Sequence, residues 1–363
     1  MTDERSLRFV HCGDVHLGAG RQVHPARYDD LFRVFEEVCE AAHDADVLLI
    51  SGDLFDVKEP DVETLARAVA ILHELQANAP NLRVIAIEGN HDMRKRARGA
   101  YRNTQGVLDV LRSAGLLTLL RPEIDGEGEV DFSDAMVHLP DTDLTVLGLG
   151  YSREESVARF DAAMALARGG LSDRRVIVLA HMMLMDSALD TYHGSAQATD
   201  LLPIADNVLY VGLGHGHTRV DAQSPLHHGV LYSPGSLEFV HSRNAKKHPD
   251  SRGYFRGTIT REGVTVSHVP TTRKRPFLHA DVVFDPATAT SFEGACEQVL
   301  ARFDTDFGDV LGGDALAPIL SVNLSGRIGF SASAFRTSVI QLQLAERFDA
   351  IQVFVSRGQL LNE

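Results

Sequence analysis

The segment LRFVHCGDVHLG, residues 7–18, is an apolar run that stops at Gly13 and delivers Asp14, Val15 and His16 directly beyond it. A run of this kind predicts a strand covered on both faces, as in a sheet flanked by helices. The pattern repeats outward from it. Val47 to Ile50 is a second apolar run followed by Gly52-Asp53, and Leu82 to Ile87 is a third followed by Gly89-Asn90-His91-Asp92. Between the first two, Pro25 suits a first helical turn, and Leu31, Val34, Phe35 and Val38 then fall at i, i+3, i+4 and i+7. Leu65, Ala68, Val69 and Leu72 repeat that spacing before the third run. Two βα units in succession predict an α/β fold.

Further strands are expected at Leu144 to Leu149, Val176 to Leu179 and Val208 to Leu213, with alternating ones between Gly229 and Val269, so this half reads as β-rich. The basic, proline-bearing stretch TTRKRP, Thr271 to Pro276, has linker chemistry. It sets the expected boundary between a domain over 1–272 and a second over 273–363. The second reads as β-α-β-α-β: a strand from Leu278, a helix bearing Phe292, Cys296, Val299, Leu300 and Phe303, a strand from Ile319, a helix around Phe335 to Leu344, and a strand from Ile351.

Composition narrows the function. The 363 residues carry 35 Lys and Arg against 50 Asp and Glu, a formal charge of −15, which excludes a histone-like polycation. With 44% hydrophobic and 23% charged residues, the chain has the make-up of a globular protein with enough apolar mass for two cores. The apolar runs are strand-sized, far short of the roughly 20 residues of a membrane span. The start, MTDERSLRF, has no basic segment leading into an apolar one, so the expected location is cytoplasmic. Three widely spaced cysteines exclude a disulfide framework and a cysteine-based zinc site.

The chemistry gathers in five short motifs, each just beyond an expected strand: Asp14-Val15-His16, Gly52-Asp53, Gly89-Asn90-His91-Asp92, Ala180-His181 and Gly214-His215-Gly216-His217. Open α/β sheets place their sites at such strand ends. Taken singly, each motif is ordinary turn or capping chemistry. Together they offer carboxylate, amide and imidazole donors without thiolate, a set that suits manganese, with iron or zinc also compatible. Asp14, His16, Asp53, Asn90, His181, His215 and His217 are enough ligands for two ions, and Asp53 is positioned to bridge them.

These five blocks, in this order, resemble the signature of the calcineurin-like metallophosphoesterases. Within them, His16-Leu17-Gly18, Gly52-Asp53-Leu54-Phe55-Asp56, Gly89-Asn90-His91-Asp92 and Pro234-Gly235-Ser236-Leu237-Glu238 are similar to the DNA-repair nuclease branch that includes bacterial SbcD. The resemblance covers about residues 7 to 270. It implies a metallophosphoesterase sandwich of mixed sheets flanked by helices, followed by a small α+β capping domain. It also implies two divalent ions, one on Asp14, His16, Asp53 and His217 and the other on Asp53, Asn90, His181 and His215. By the same resemblance His91 meets the scissile phosphate, Asp92 orients it, and water is the nucleophile. Homodimers and an SMC-like ATPase partner of the SbcC type are further implications. Two positions depart from the branch: Cys12-Gly13 before the aspartate, and Asp56 where some relatives carry a histidine that places the DNA strand.

Cations supply a way for an acidic chain to hold an acidic polymer. Arg94, Lys95, Arg96, Arg98 and Arg102 come after His91 with no acid among them and form the expected DNA-binding run. Arg243, Lys246, Lys247 and Arg252 make a second group, and Arg273, Lys274 and Arg275 a third. The function expected is a metal-dependent DNA exo- or endonuclease working at ends in repair. The alternatives are a phosphoesterase of the same fold acting on phosphoproteins or small phosphodiesters, and a DNA-binding scaffold that has lost catalysis. Lost catalysis implies missing ligands, and the motifs lack none.

Overall fold

The computed structural model describes residues 6–21, 24–94, 105–124, 129–185, 193–240, 252–311 and 316–362. Two compact units divide the chain, the larger ending at Arg273 and the smaller holding Lys274 onward.

In the larger unit, β1 (Leu7–Cys12), α1 (Pro25–Ala41), β2 (Val47–Ile50), α2 (Val62–Asn78), β3 (Arg83–Ile87), α3 (Val107–Ser113) and β4 (Thr118–Leu120) succeed one another along the chain. The short β5 (Glu123–Ile124) and β6 (Val130–Asp131) pair antiparallel. Next come β7 (Met136–His138), β8 (Leu144–Tyr151), α4 (Ser156–Arg168), β9 (Arg175–His181), β10 (Met183–Met185) and β11 (Ser195–Gln197). The unit closes with β12 (Val208–Leu213), β13 (Leu231–Tyr232), β14 (Gly253–Ile259) and β15 (Val264–Pro270).

These strands build two mixed sheets, one ordered β15-β14-β1-β2-β3-β4 and the other β13-β12-β9-β8-β7. Three apolar layers hold them. Phe9, Leu49, Ile85, Ile177, Leu179 and Phe255 fill the space between the sheets. Phe32, Phe35, Val38, Leu72 and Leu108 join the first sheet to α1, α2 and α3. Phe160, Met164, Val178 and Val211 join the second sheet to α4. Because β1, β2, β3, β9 and β12 have both faces covered, their sequences are nearly all apolar, as buried strands require. The fold is the helix-flanked sandwich of mixed sheets that the motifs imply. The second half of the unit is β-rich as expected, with helix α4 an element that the sequence reading did not place.

Register decides where the loops emerge. Cys12 pairs with Ile50 and Ile50 with Ala86, so β1, β2 and β3 end level with one another. In the second sheet Leu213 pairs with Ala180, which levels β12 with β9.

The smaller unit contains β16 (Phe277–Phe284), α5 (Phe292–Leu311), β17 (Ile319–Ile328), α6 (Thr337–Phe348) and β18 (Gln352–Asn362). The three strands are parallel in the order β16-β17-β18, the arrangement two successive crossovers produce. Val299, Phe303, Ile340 and Leu344 from the helices pack on Leu278, Val282, Leu320 and Leu324.

Candidate metal centre

All five motifs leave the carboxyl ends of the levelled strands. Asp14 and His16 follow β1, Asp53 follows β2, Asn90 to Asp92 follow β3, His181 ends β9, and His215 and His217 follow β12. Three groups of donors form there, one of Asp14, His16 and His217, one of Asp53, His181 and His215, and one of His16, Asp56 and His91 nearer the surface, each with its ligand atoms within 4.8 Å of one another. Asn90 joins the second group, its Oδ1 3.2 Å from His181 Nε2.

Asp53 lies between the first two groups. Its Oδ2 is 3.3 Å from His181 Nε2 and 3.8 Å from His16 Nε2. Its other oxygen, Oδ1, accepts the His91 backbone N–H at 2.8 Å. In the first group His16 Nε2 and His217 Nε2 face each other at 3.0 Å, and Asp14 Oδ1 is 3.8 Å from His217 Nε2. Asp14 Oδ1 also accepts the His215 backbone N–H, at 2.9 Å.

The outer ring nitrogens are taken. His181 donates from Nδ1 to the Ser51 carbonyl at 2.7 Å, and His215 from Nε2 to the His193 carbonyl at 3.0 Å. His16 donates from Nδ1 to Asp56 Oδ1 at 3.0 Å. Each of these contacts fixes its ring so that the other nitrogen faces inward, the arrangement common to metal-binding histidines.

Two buried carboxylate oxygens, Asp14 Oδ2 and Asp53 Oδ2, make no hydrogen bond. A buried, unpaired carboxylate oxygen is costly, and a cation among these N and O donors would satisfy both. The residues present thus fit divalent metal. Glycines let the loops approach this closely. A side chain on Gly89 would put Cβ 2.0 Å from Asp53 Oδ1, and one on Gly52, at φ +94°, would put it 2.4 Å from His181 Nδ1.

The electrostatics reflect crowded acid and base. Burial opposes charge on Asp53, but the neighbouring His181 and His16 outweigh it and hold the carboxyl well below its ordinary range. Burial dominates at Asp14, whose pKa is raised, with the Asp53 charge adding to the effect. Burial works against a proton on His181, yet the Asp53 carboxylate lifts it to about 9. Burial and the His181 charge push His215 down to about 4.

His91 stands at the mouth of the centre with its side chain 39% exposed, whereas His16 and His181 are almost fully enclosed. Its Nδ1 donates to the Asp56 backbone carbonyl at 2.7 Å. Asp92 is placed differently from the role expected of it. Its Oδ1 accepts the Gly89 N–H and its Oδ2 the Leu54 and Phe55 N–H groups, so it ties the Gly52-Asp53 and Gly89-Asn90 loops together and leaves the orienting of His91 to Asp56. Burial, aided by the Asp53 charge, raises the Asp92 carboxyl to about 7. Asp56, singled out in the sequence only as a departure, thus contacts both His16 and His91.

The basic groups divide. Arg94 is committed to Glu123 through its guanidinium and to Glu88 through its backbone N–H, while Lys95, Arg96, Arg98 and Arg102 lie outside the described residues. Arg252, expected on a basic surface, is fully buried, hydrogen-bonded to Ser236 and stacked over Phe239 at 4.7 Å. It braces the Pro234 to Glu238 turn, and Ser236 bridges to Gly13 beside Asp14. Arg243, Lys246 and Lys247 lie outside the described residues. Arg273 pairs with Glu40, and Arg275 donates to the Ala317 carbonyl.

A helix-flanked pair of mixed sheets with such a centre at their strand ends defines a metallophosphoesterase. The profile of the calcineurin-like phosphoesterases matches residues 7–219, and the chain belongs to that family. It is similar to the DNA double-strand break repair protein Mre11 of Archaeoglobus fulgidus, 30% identical over 253 residues that make up 66% of this chain and 52% of that protein. The Mre11 proteins of Methanosarcina mazei (25% over 284 residues; 77% and 40%) and Aeropyrum pernix (29% over 259 residues; 68% and 58%) are also similar. The chain spans about half the length of these relatives. Among the described residues no helix is long and apolar enough to cross a membrane.

Proposed function

We propose that the chain is a dinuclear metal-dependent phosphodiesterase that hydrolyses DNA, a repair nuclease of the SbcD and Mre11 kind, with manganese as its preferred ion. The observation that carries the proposal is Asp53 Oδ2, buried, without a hydrogen bond, and lying between His16 and His181. One carboxylate oxygen so placed suits a bridge between two ions about 3.5–4 Å apart, the spacing used for in-line displacement at phosphorus. Asp14, His16 and His217 would complete one ion's set, and Asn90, His181 and His215 the other's. Bound there, the ions would polarise the phosphodiester and make water nucleophilic near neutral pH.

The chain's own groups do the rest. His91, partly exposed at the mouth and held by the Asp56 carbonyl, is positioned to donate a hydrogen bond to a phosphoryl oxygen or a proton to the leaving oxygen. Asp92 fixes the loop that carries it. The names of the similar proteins support DNA as the polymer. The test is incubation of the protein with labelled duplex DNA, single-stranded DNA and a small chromogenic phosphodiester, with manganese or with chelator. Manganese-dependent shortening of DNA is expected. Hydrolysis of the small ester with both DNAs untouched would overturn the nuclease reading.

A further inference from the structure

Beside the second ligand group opens a cleft of about 450 Å³ whose lining includes Lys58, Asn90, Tyr151 and Arg153. Asn90 both lines the cleft and joins the second ligand group, so the cleft adjoins the candidate metal centre. Its volume lies within the range of about 300–1,000 Å³ typical of ligand pockets.

The walls are fixed. The Tyr151 ring stands 5.4 Å from the His215 ring and 6.0 Å from that of His181, centroid to centroid. A Cβ at Gly194 would lie 2.4 Å from the Tyr151 ring, so the glycine lets the backbone pack directly on the aromatic edge. Arg153 donates to His193 Nε2 at 2.8 Å, and the His193 carbonyl receives the ring Nε2–H of His215. Arg153 is thereby tied to the same wall that orients a candidate ligand. Lys58 is half-buried in the lining, two residues beyond Asp56. Glu154 and Glu155 also line the cleft, and Glu155 is engaged by Arg159 at 3.2 Å. An aromatic ring and two cations in one lining, beside a candidate phosphodiester-cleaving centre, match one nucleotide unit. The ring suits a base and the cations suit a phosphate.

We propose that this cleft is the subsite for the nucleotide adjoining the scissile phosphodiester, with Tyr151 the platform for its base and Lys58 and Arg153 the contacts to its outer phosphate. The proposal rests on the phosphodiesterase reading given above and adds a preference for a base beside the cut.

The experiment compares two probes on the manganese-loaded protein by titration calorimetry: 2′-deoxyadenosine 3′,5′-bisphosphate and deoxyribose 3,5-bisphosphate, which lacks the base. Wild type should bind the nucleotide about tenfold more tightly, the order of one stacking contact. Tyr151→Ala should erase that preference and Tyr151→Phe should keep it. Lys58→Ala with Arg153→Ala should weaken both probes together. Equal binding of the two probes by wild type overturns the subsite without need of any variant, as does a preference that survives Tyr151→Ala. The underlying reading fails separately, through absence of manganese-dependent DNA cleavage by wild type.

Discussion

Replacing Asp56 with leucine removes the carboxylate that receives the His16 Nδ1 proton at 3.0 Å and spares the backbone carbonyl that holds His91. Without that acceptor His16 is free to flip or change tautomer, and its Nε2 is no longer dedicated to the first ligand group. Partners of this kind typically contribute about 10–100-fold in metal affinity, or about 1.4–2.7 kcal/mol. The structure selects the lower part of that range. The Asp56 side chain is 28% exposed, so water can take over part of its role, although His16 itself is enclosed. About a tenfold loss is expected for Asp56→Leu and a smaller one for Asp56→Asn, which keeps an acceptor oxygen. The loss should fall on a single ion, because Asn90, His181 and His215 do not depend on Asp56. Manganese titration by calorimetry, with circular dichroism melts to confirm folding, reads both points. A leucine variant that binds two ions with wild-type affinities would refute the reasoning.

Asp53→Asn should abolish manganese-dependent cleavage and lower metal occupancy, since a neutral amide bridges two dications poorly; elemental analysis of the purified variant showing both ions retained alongside activity would contradict this. His91→Ala should keep both ions and lose on the order of 10²-fold or more in rate, and calorimetry showing lost metal instead would make His91 a ligand. Burial pushes the His11 imidazole down to about 3, against about 6.5 in an unfolded chain, so between these values the unfolded state holds the extra proton and stability falls as pH falls. The full gap is worth about 5 kcal/mol at most, and His11→Gln should flatten the dependence of melting temperature on pH over that window; an unchanged slope would show that other groups control acid unfolding.

The strands around the centre were legible because their signal is local. An apolar run ending in glycine and a donor residue marks both the end of a strand and the donor that leaves it, and register then brings the donors together. Helix α4 was less legible, since Ala163 and Ala167 share its buried face with Phe160 and Met164 and small residues weaken a periodic signal. Charge counting does not reveal which cations are paired, for a different reason. Arg94 and Arg252 sit in basic stretches of the sequence, yet Glu123 takes one and the interior takes the other. Which partner an arginine finds is settled by residues far along the chain. Asp56 is the same case in reverse: its contact with His16 spans 40 positions, and no spacing rule reaches that far.

The backbone explains why so much of the sequence serves so small a volume. Asp14, His16, Asp53, His215 and His217 all have left-handed φ values, between 45° and 74°. Such a conformation costs an L-residue on the order of 1 kcal/mol, somewhat less for Asp, which tolerates it, and it persists only where the surroundings impose it. Together the five amount to several kcal/mol, a large share of the roughly 5–15 kcal/mol by which a domain is stable. The loops also bury unpaired carboxylate oxygens. Loops alone could not hold this geometry. It persists because each loop is clamped at a strand end between two packed layers, and because Asp92 ties the β2 and β3 loops together through three backbone N–H groups. The sandwich therefore serves the centre by absorbing strain, and the left-handed turns aim side chains from three strands at one point that regular strand geometry would send to alternate faces.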